Sequence, residues 1–189
     1  MSADDLCFSS ATELLPLVRS KQLSPVELCE AVLSRVEALE PKLNAFVALD
    51  GDGAMATARA LEGKIARGEA VGPLAGMTVT IKDLAQTAGL PTQRGSLSLK
   101  GNVHDVDTPF VTRLRQAGAI VLGKTTTSEF GWKGVSHSPL TGITHNPWKQ
   151  GYNAGASSAG AGVAAAAGYG PLHQGSDGAG SIRMPSHFC

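Results

Sequence analysis

The chain has 189 residues, 42% hydrophobic and 17% charged, and its sixteen basic and sixteen acidic side chains cancel. That balance suits a globular fold with a core of its own and, with no Lys/Arg cluster, excludes the electrostatic footprint of a nucleic-acid binder. No apolar run approaches the ~20 residues that span a bilayer.

MSADDLCFSS is acidic and lacks the basic and apolar regions of a signal peptide. Cys7, Cys29 and Cys189 are scattered, with no CxxC pair, which points to reduced thiols and a cytoplasmic protein. A short helix is expected from Ala11 to Arg19. The next is stronger: Ser24 is placed to cap it, Pro25 to open it and Glu27 to complete a capping box. Leu28, Val32, Val36 and Leu39 follow at helical spacing, and Pro41 is expected to end the run. An alanine-rich helix is expected over Ala54 to Ala66.

From Gly72 the pattern changes. GMTVTIKD reads as a strand, Thr108 to Ala117 as a helix, and AGAIVLGK as a strand buried on both faces. A loop-rich stretch holding Trp132 and Trp148 precedes a small-residue helix from about Ser157 to Ala167. A short strand from Leu172 to Gly175 then leads into a glycine-rich turn, and SIRMPSHFC begins another helix. Alternating strands and helices give an α/β fold with a largely parallel sheet behind a helical N-terminal region. The expected division is residues 1–70 for the helical region and 71–189 for the first, incomplete part of the α/β core, within one domain.

GAIVLGKT, Gly118 to Thr125, matches the phosphate-loop pattern G-x-x-x-x-G-K-[ST]. Its four middle residues are Ala, Ile, Val and Leu, which form a buried strand rather than a loop of N–H groups around phosphate, so nucleotide binding is set aside. The five histidines have no compact ligand spacing and read as ordinary loop residues, so no metal is expected. No GxSxG elbow is present, since Ser157 is followed by Ser158 and Ala159.

The remaining chemistry needs no histidine. It combines Lys82 at the end of TVTIKD, Ser157 in GASSAG and Ser181 in GSDGAGSI. A serine hydroxyl attacks only when something removes its proton, and a lysine does so only when neutral. Half-neutrality at pH 7 means lowering its pKa from about 10.4 to about 7, worth ~4 kcal/mol, which burial at a strand end supplies. A second serine relays the proton by accepting from one group and donating to the other. Backbone N–H groups of Gly178, Ala179, Gly180 and Ser181 are able to converge on the oxyanion that amide cleavage forms. The plainer alternatives are a lysine capping a strand, a serine-capped helix start and an ordinary turn. Asp177 and Arg183 read as a structural ion pair, with Ser158 as local support.

In that combination the chain resembles the amidase signature family, whose members cleave carboxamides with a Ser–cis-Ser–Lys triad. GPLAGMTVTIKDL resembles the family's lysine strand, AGAIVLGKTTTSEFGW the next strand and loop, and THNPW the approach to the signature. GASSAGAG and GSDGAGSIRMPS resemble its serine-rich segment and nucleophile turn. The resemblance extends to SPVELCEAVLSRVEALEPKLNAFVAL. It implies an amidase-signature fold, with a mostly parallel mixed sheet flanked by helices and N-terminal helices in front. It assigns Lys82 as catalytic lysine, Ser157 as relay serine on a cis peptide and Ser181 as acyl-forming nucleophile.

Ala156, Ala159 and Ala179 stand where the family usually has glycine. Family members are considerably longer, so the chain is expected to be a fragment and inactive alone. The implied activity is cofactor-independent hydrolysis of a small-molecule amide, with no nucleic acid or membrane as direct partner and a homodimer as one arrangement. The alternatives are a glutaminase subunit of a tRNA-dependent amidotransferase, for which EFGWKGVSHSPLTGITHNPW is the weaker match, and a non-catalytic scaffold.

Overall fold

The computed structural model describes residues 1–189. Three helices lead: α1 (Ala3–Phe8), α2 (Ala11–Arg19) and α3 (Pro25–Leu43). Each opens on a serine whose side chain and third helical residue form a reciprocal capping box: Ser2 with Asp5, Ser10 with Glu13 and Ser24 with Glu27. α1 was not expected from sequence. α3 also runs past Pro41, contrary to expectation, because in its last turn only one helical bond is lost. It ends at Asn44, which adopts φ 54° and ψ 52°, a left-handed cap.

Strand β1 (Phe46–Leu49) follows, then α4 (Gly51–Ala66), which starts three residues earlier than expected because Asp50 accepts the Gly53 N–H at 3.1 Å. The segment 1–70 is therefore not wholly helical. Next come β2 (Thr78–Lys82), α5 (Pro109–Gln116) and β3 (Ile120–Thr125), a βαβ unit. The stretch read as loop-rich contains two small hairpins, β4 (His137–Ser138) with β5 (Gly142–Ile143) and β6 (His145–Asn146) with β7 (Lys149–Asn153). The chain closes with α6 (Ala159–Ala167), β8 (Leu172–Gln174) and α7 (Arg183–Phe188).

The main sheet has the order β1-β3-β2-β8. β2 is parallel to both β3 and β8, whereas β1 runs antiparallel to β3. All five residues of β2 and all six of β3 are buried, as expected for strands covered on both faces. A core of 23 residues joins α1 to α4 to Ile120 and Leu122 of β3 and to Val163, Ala164 and Ala167 of α6. On the other face Val79, Ile81 and Val121 pack with Val111 of α5. By the two-residue period of a strand, Thr78, Thr80 and Lys82 point away from Val79 and Ile81, to the face that α6 covers. No helix is long and apolar enough to cross a membrane.

Candidate active site

Lys82 is the last residue of β2 and is 1% exposed. Its position is fixed from both sides: Lys82 lies opposite Thr125 of β3, and its backbone N–H donates to Gln174 Oε1 of β8 at 3.0 Å. The amine donates to Ser157 Oγ at 2.8 Å, to Ser176 Oγ at 3.0 Å and to the Ser176 carbonyl at 3.4 Å. Burial pushes the Lys82 pKa down from 10.5 to about 8, against a smaller upward pull from the Asp177 carboxylate.

Ser157 is 2% exposed and follows a cis Ala156–Ser157 peptide bond. Ser158 is the N-cap of α6. Small side chains allow this close arrangement. A methyl on Gly160 would come within 2.7 Å of Thr126 Oγ1, and one on Gly162 within 2.6 Å of Pro185 Cβ in α7. Gly155, at φ 75°, is required twice over, since a Cβ there would also lie 2.7 Å from the Pro185 nitrogen. Ala156, Ala159 and Ala179 all keep negative φ, so their methyl groups carry no left-handed backbone cost.

Ser181 sits in the turn between β8 and α7. Its carbonyl accepts the Ser158 N–H at 3.1 Å, which ties the turn to the start of α6, while its hydroxyl has no hydrogen-bond partner. Asp177 organises the turn. Its carboxylate accepts N–H groups of Gly180 at 2.6 Å, Ile182 at 3.0 Å and Arg183 at 3.1 Å, and it pairs with the Arg183 guanidinium at 2.9 and 3.0 Å. These contacts, the guanidinium first, hold the Asp177 carboxyl well below the usual range. The expected ion pair is present and shapes the turn. Of the four N–H groups expected to face an oxyanion, Gly180 is committed to Asp177. Those of Gly178, Ala179 and Ser181 have no protein acceptor.

Sequence reasoning passed over Ser176. Its N–H donates to Ser158 Oγ and its carbonyl accepts from the same hydroxyl, both at 3.2 Å. Nothing local in GSDGAGS marks this serine, because its partnership with Lys82 arises only when β8 pairs with β2. His173, read as an ordinary surface or loop histidine, lies on β8, the strand expected from Leu172, and is bonded to Thr80 Oγ1 at 3.0 Å and to the Gly170 carbonyl at 2.9 Å. Burial lowers its pKa to about 4, so it is a neutral, satisfied structural residue. Lys124, from the phosphate-loop match, is wholly buried in β3. Its amine reaches the Ala85 carbonyl and Thr92 Oγ1, each at 2.8 Å, and Asp83 at 3.5 Å.

A family model described as Amidase matches residues 27–189. The acylamidase of Rhodococcus erythropolis is 47% identical over 189 residues, covering 100% of this chain and 40% of that protein. A glutamyl-tRNA(Gln) amidotransferase subunit from Acidothermus cellulolyticus is 39% identical over 182 residues, 96% of this chain and 36% of its own length. Among solved structures, a bacterial aryl acylamidase of the amidase signature family superposes with a TM-score of 0.89 at 37% identity, covering 95% of this chain and 37% of that one. The chain thus spans about two fifths of the length of these relatives. A match over residues 27–189, with a fold shared at that level, establishes that this chain belongs to the amidase signature family.

Proposed function

We propose that the protein carrying these residues hydrolyses a carboxamide through an acyl-serine intermediate, with Ser181 as nucleophile, Ser157 as relay and Lys82 as base. The observation that carries this reading is the 2.8 Å hydrogen bond between a buried amine and the Ser157 hydroxyl at the carboxyl end of a central parallel strand, where α/β sheets bind ligands. Ser181 Oγ attacks the carbonyl carbon while its proton passes to Ser157 Oγ, whose own proton passes to neutral Lys82. The tetrahedral oxyanion takes hydrogen bonds from the turn, for which the unengaged N–H groups of Gly178, Ala179 and Ser181 are available. Collapse breaks the C–N bond, and the relayed proton goes to the departing amine or ammonia. Water then adds to the ester, gives up a proton along the same relay and releases the carboxylic acid, restoring Ser181. Every proton is conserved, and no cofactor enters the scheme.

The test uses the purified protein carrying these residues. Lys82→Ala is expected to lower kcat at least about 100-fold, the lower end of the range for removing a general base, and to block labelling of Ser181 by a serine-directed phosphonate. Undiminished turnover in K82A would refute the base. Absence of Ser181 labelling in the folded wild type would favour a non-catalytic scaffold.

The 39% identity to an amidotransferase component supports a second reading, a glutaminase that passes ammonia to partner subunits. Ammonia release from glutamine only on addition of such subunits, with no turnover of simple amides, favours it. We rank it second because the acylamidase is matched at 47% over the whole chain.

A further inference from the structure

We propose that Ser176 is a positioning residue for Lys82, occupying two of the amine's N–H bonds so that its remaining valence faces Ser157. This rests on the reading of Lys82 as proton acceptor. The amine has three partners: Ser157 Oγ at 2.8 Å, Ser176 Oγ at 3.0 Å and the Ser176 carbonyl at 3.4 Å. An ammonium donates to all three. A neutral amine has two hydrogens and one lone pair, so one partner must become the donor. The carbonyl only accepts. With the Ser176 hydroxyl taking the second hydrogen, the lone pair is directed at Ser157, the orientation that proton relay requires.

The surrounding bonds hold Ser176 in this role. Its N–H and its carbonyl both engage the Ser158 hydroxyl at 3.2 Å. The dipeptide Ser157–Ser158 therefore contacts the amine with its first hydroxyl and steadies Ser176 with its second. A closed ring of Lys82, Ser157, Ser158 and Ser176 spans the ends of β2 and β8 and the start of α6.

The charged or titratable groups packed around the amine belong to other pairings. Asp177, beside Ser176, is held by Arg183. Asp83, next along the chain, is paired with Lys124 of β3, and His173 of β8 is bonded to Thr80 and Gly170. α6 carries no ionisable residue. A change at Ser176 leaves all of these in place, so it reports on the hydroxyl.

The experiment follows the side-chain carbon and nitrogen resonances of Lys82 against pH in lysine-labelled protein, assigned by their loss in K82A. Ser176→Ala removes a hydrogen bond that favours the charged form, so the Lys82 midpoint should fall by about 1 pH unit, the order expected for one charge-assisted bond. Ser176→Thr should restore it. At a pH above both midpoints, Ser181 phosphonylation should slow about 10-fold in S176A, a part of the roughly 100- to 10,000-fold that a positioned base contributes, and recover in S176T. A folded S176A with unchanged midpoint and labelling rate overturns the proposal. If S176A does not fold, Ser176→Cys keeps the volume with a weaker hydrogen bond and serves the same two measurements.

The outcomes separate this proposal from the functional one. A Lys82 midpoint that moves with Ser176 while wild-type Ser181 takes up no phosphonate removes the amidase mechanism and leaves the positioning role. Lys82-dependent labelling of Ser181 that is indifferent to S176A does the reverse.

Discussion

The amine of Lys82 is buried without a carboxylate at hydrogen-bond distance; its contacts are hydroxyls and a carbonyl. Burial therefore outweighs the pull of Asp177 and holds its pKa at about 8 instead of 10.5. Below about pH 8 the amine carries the proton it would need to accept, so kcat/KM should rise about tenfold per pH unit on the acid side and level off above about 8, as for a single essential base. The same depression affects stability. Between about 8 and 10.5 the unfolded chain binds the proton more tightly than the folded one, so stability increases with pH across that window and is lowest below it. A pH–rate profile and a Tm series in the same buffers check both, and K82M should remove the Lys82 component from each. Sequence singled out Lys82, Ser157 and Ser181 together; the structure brings the first two into a hydrogen bond, and the roles that the family resemblance implies for all three are those proposed above. Ser176 was not singled out, since pairing of β8 with β2 brings it to the amine and no spacing rule encodes that.

At the scale of elements, α6 shows why its sequence is nearly all glycine and alanine. Six of its nine residues are buried, and Gly160 donates its N–H to the Thr126 carbonyl at 3.1 Å. Gly160→Ala would press a methyl against the Ala45 carbonyl and Thr126. It is expected to cost about 1–3 kcal/mol, the usual price of overpacking, and to lower the rate by shifting Ser157 from Lys82. Denaturant unfolding with parallel kinetics tests this, and loss of stability without loss of rate would contradict the second half. α2, α3 and the two buried strands could be located in advance because their signals are local, whereas the six-residue α1 was missed despite its capping box. β1 escaped because FVAL is four residues long at a sheet edge, with its role decided by pairing to β3. Pro41 misled for a related reason: a proline marks a helix end only where its missing N–H matters, and in the last turn of α3 packing prevails.

Over the whole molecule, the 23-residue core draws on α1 to α4, β1, β3 and α6 together, so segments 1–70 and 71–189 bury one another's apolar surface. Leu28, wholly buried in α3, belongs to the first segment and to this shared core. Leu28→Ala should cost about 2–5 kcal/mol and lower a single unfolding transition, with calorimetric and van't Hoff enthalpies in agreement. Two separable transitions, only one of them moved, would show instead that the segments fold independently.

The central place of β2 has a further consequence. A strand bonded along both flanks is the hardest part of a sheet to displace, so the amine at its end is a stationary reference. The Ser181 hydroxyl, with no partner of its own, belongs to a turn fastened at its far end by the Ser158–Ser181 backbone bond and the Asp177 carboxylate, and at its near end by Ser176. In the mechanism proposed above, an adjustment that brings the Ser181 and Ser157 hydroxyls together falls to that turn and the short helix behind it more readily than to the strand. On that proposal, changes in the turn and its surroundings would alter which amide fits while leaving the Lys82 amine where it stands.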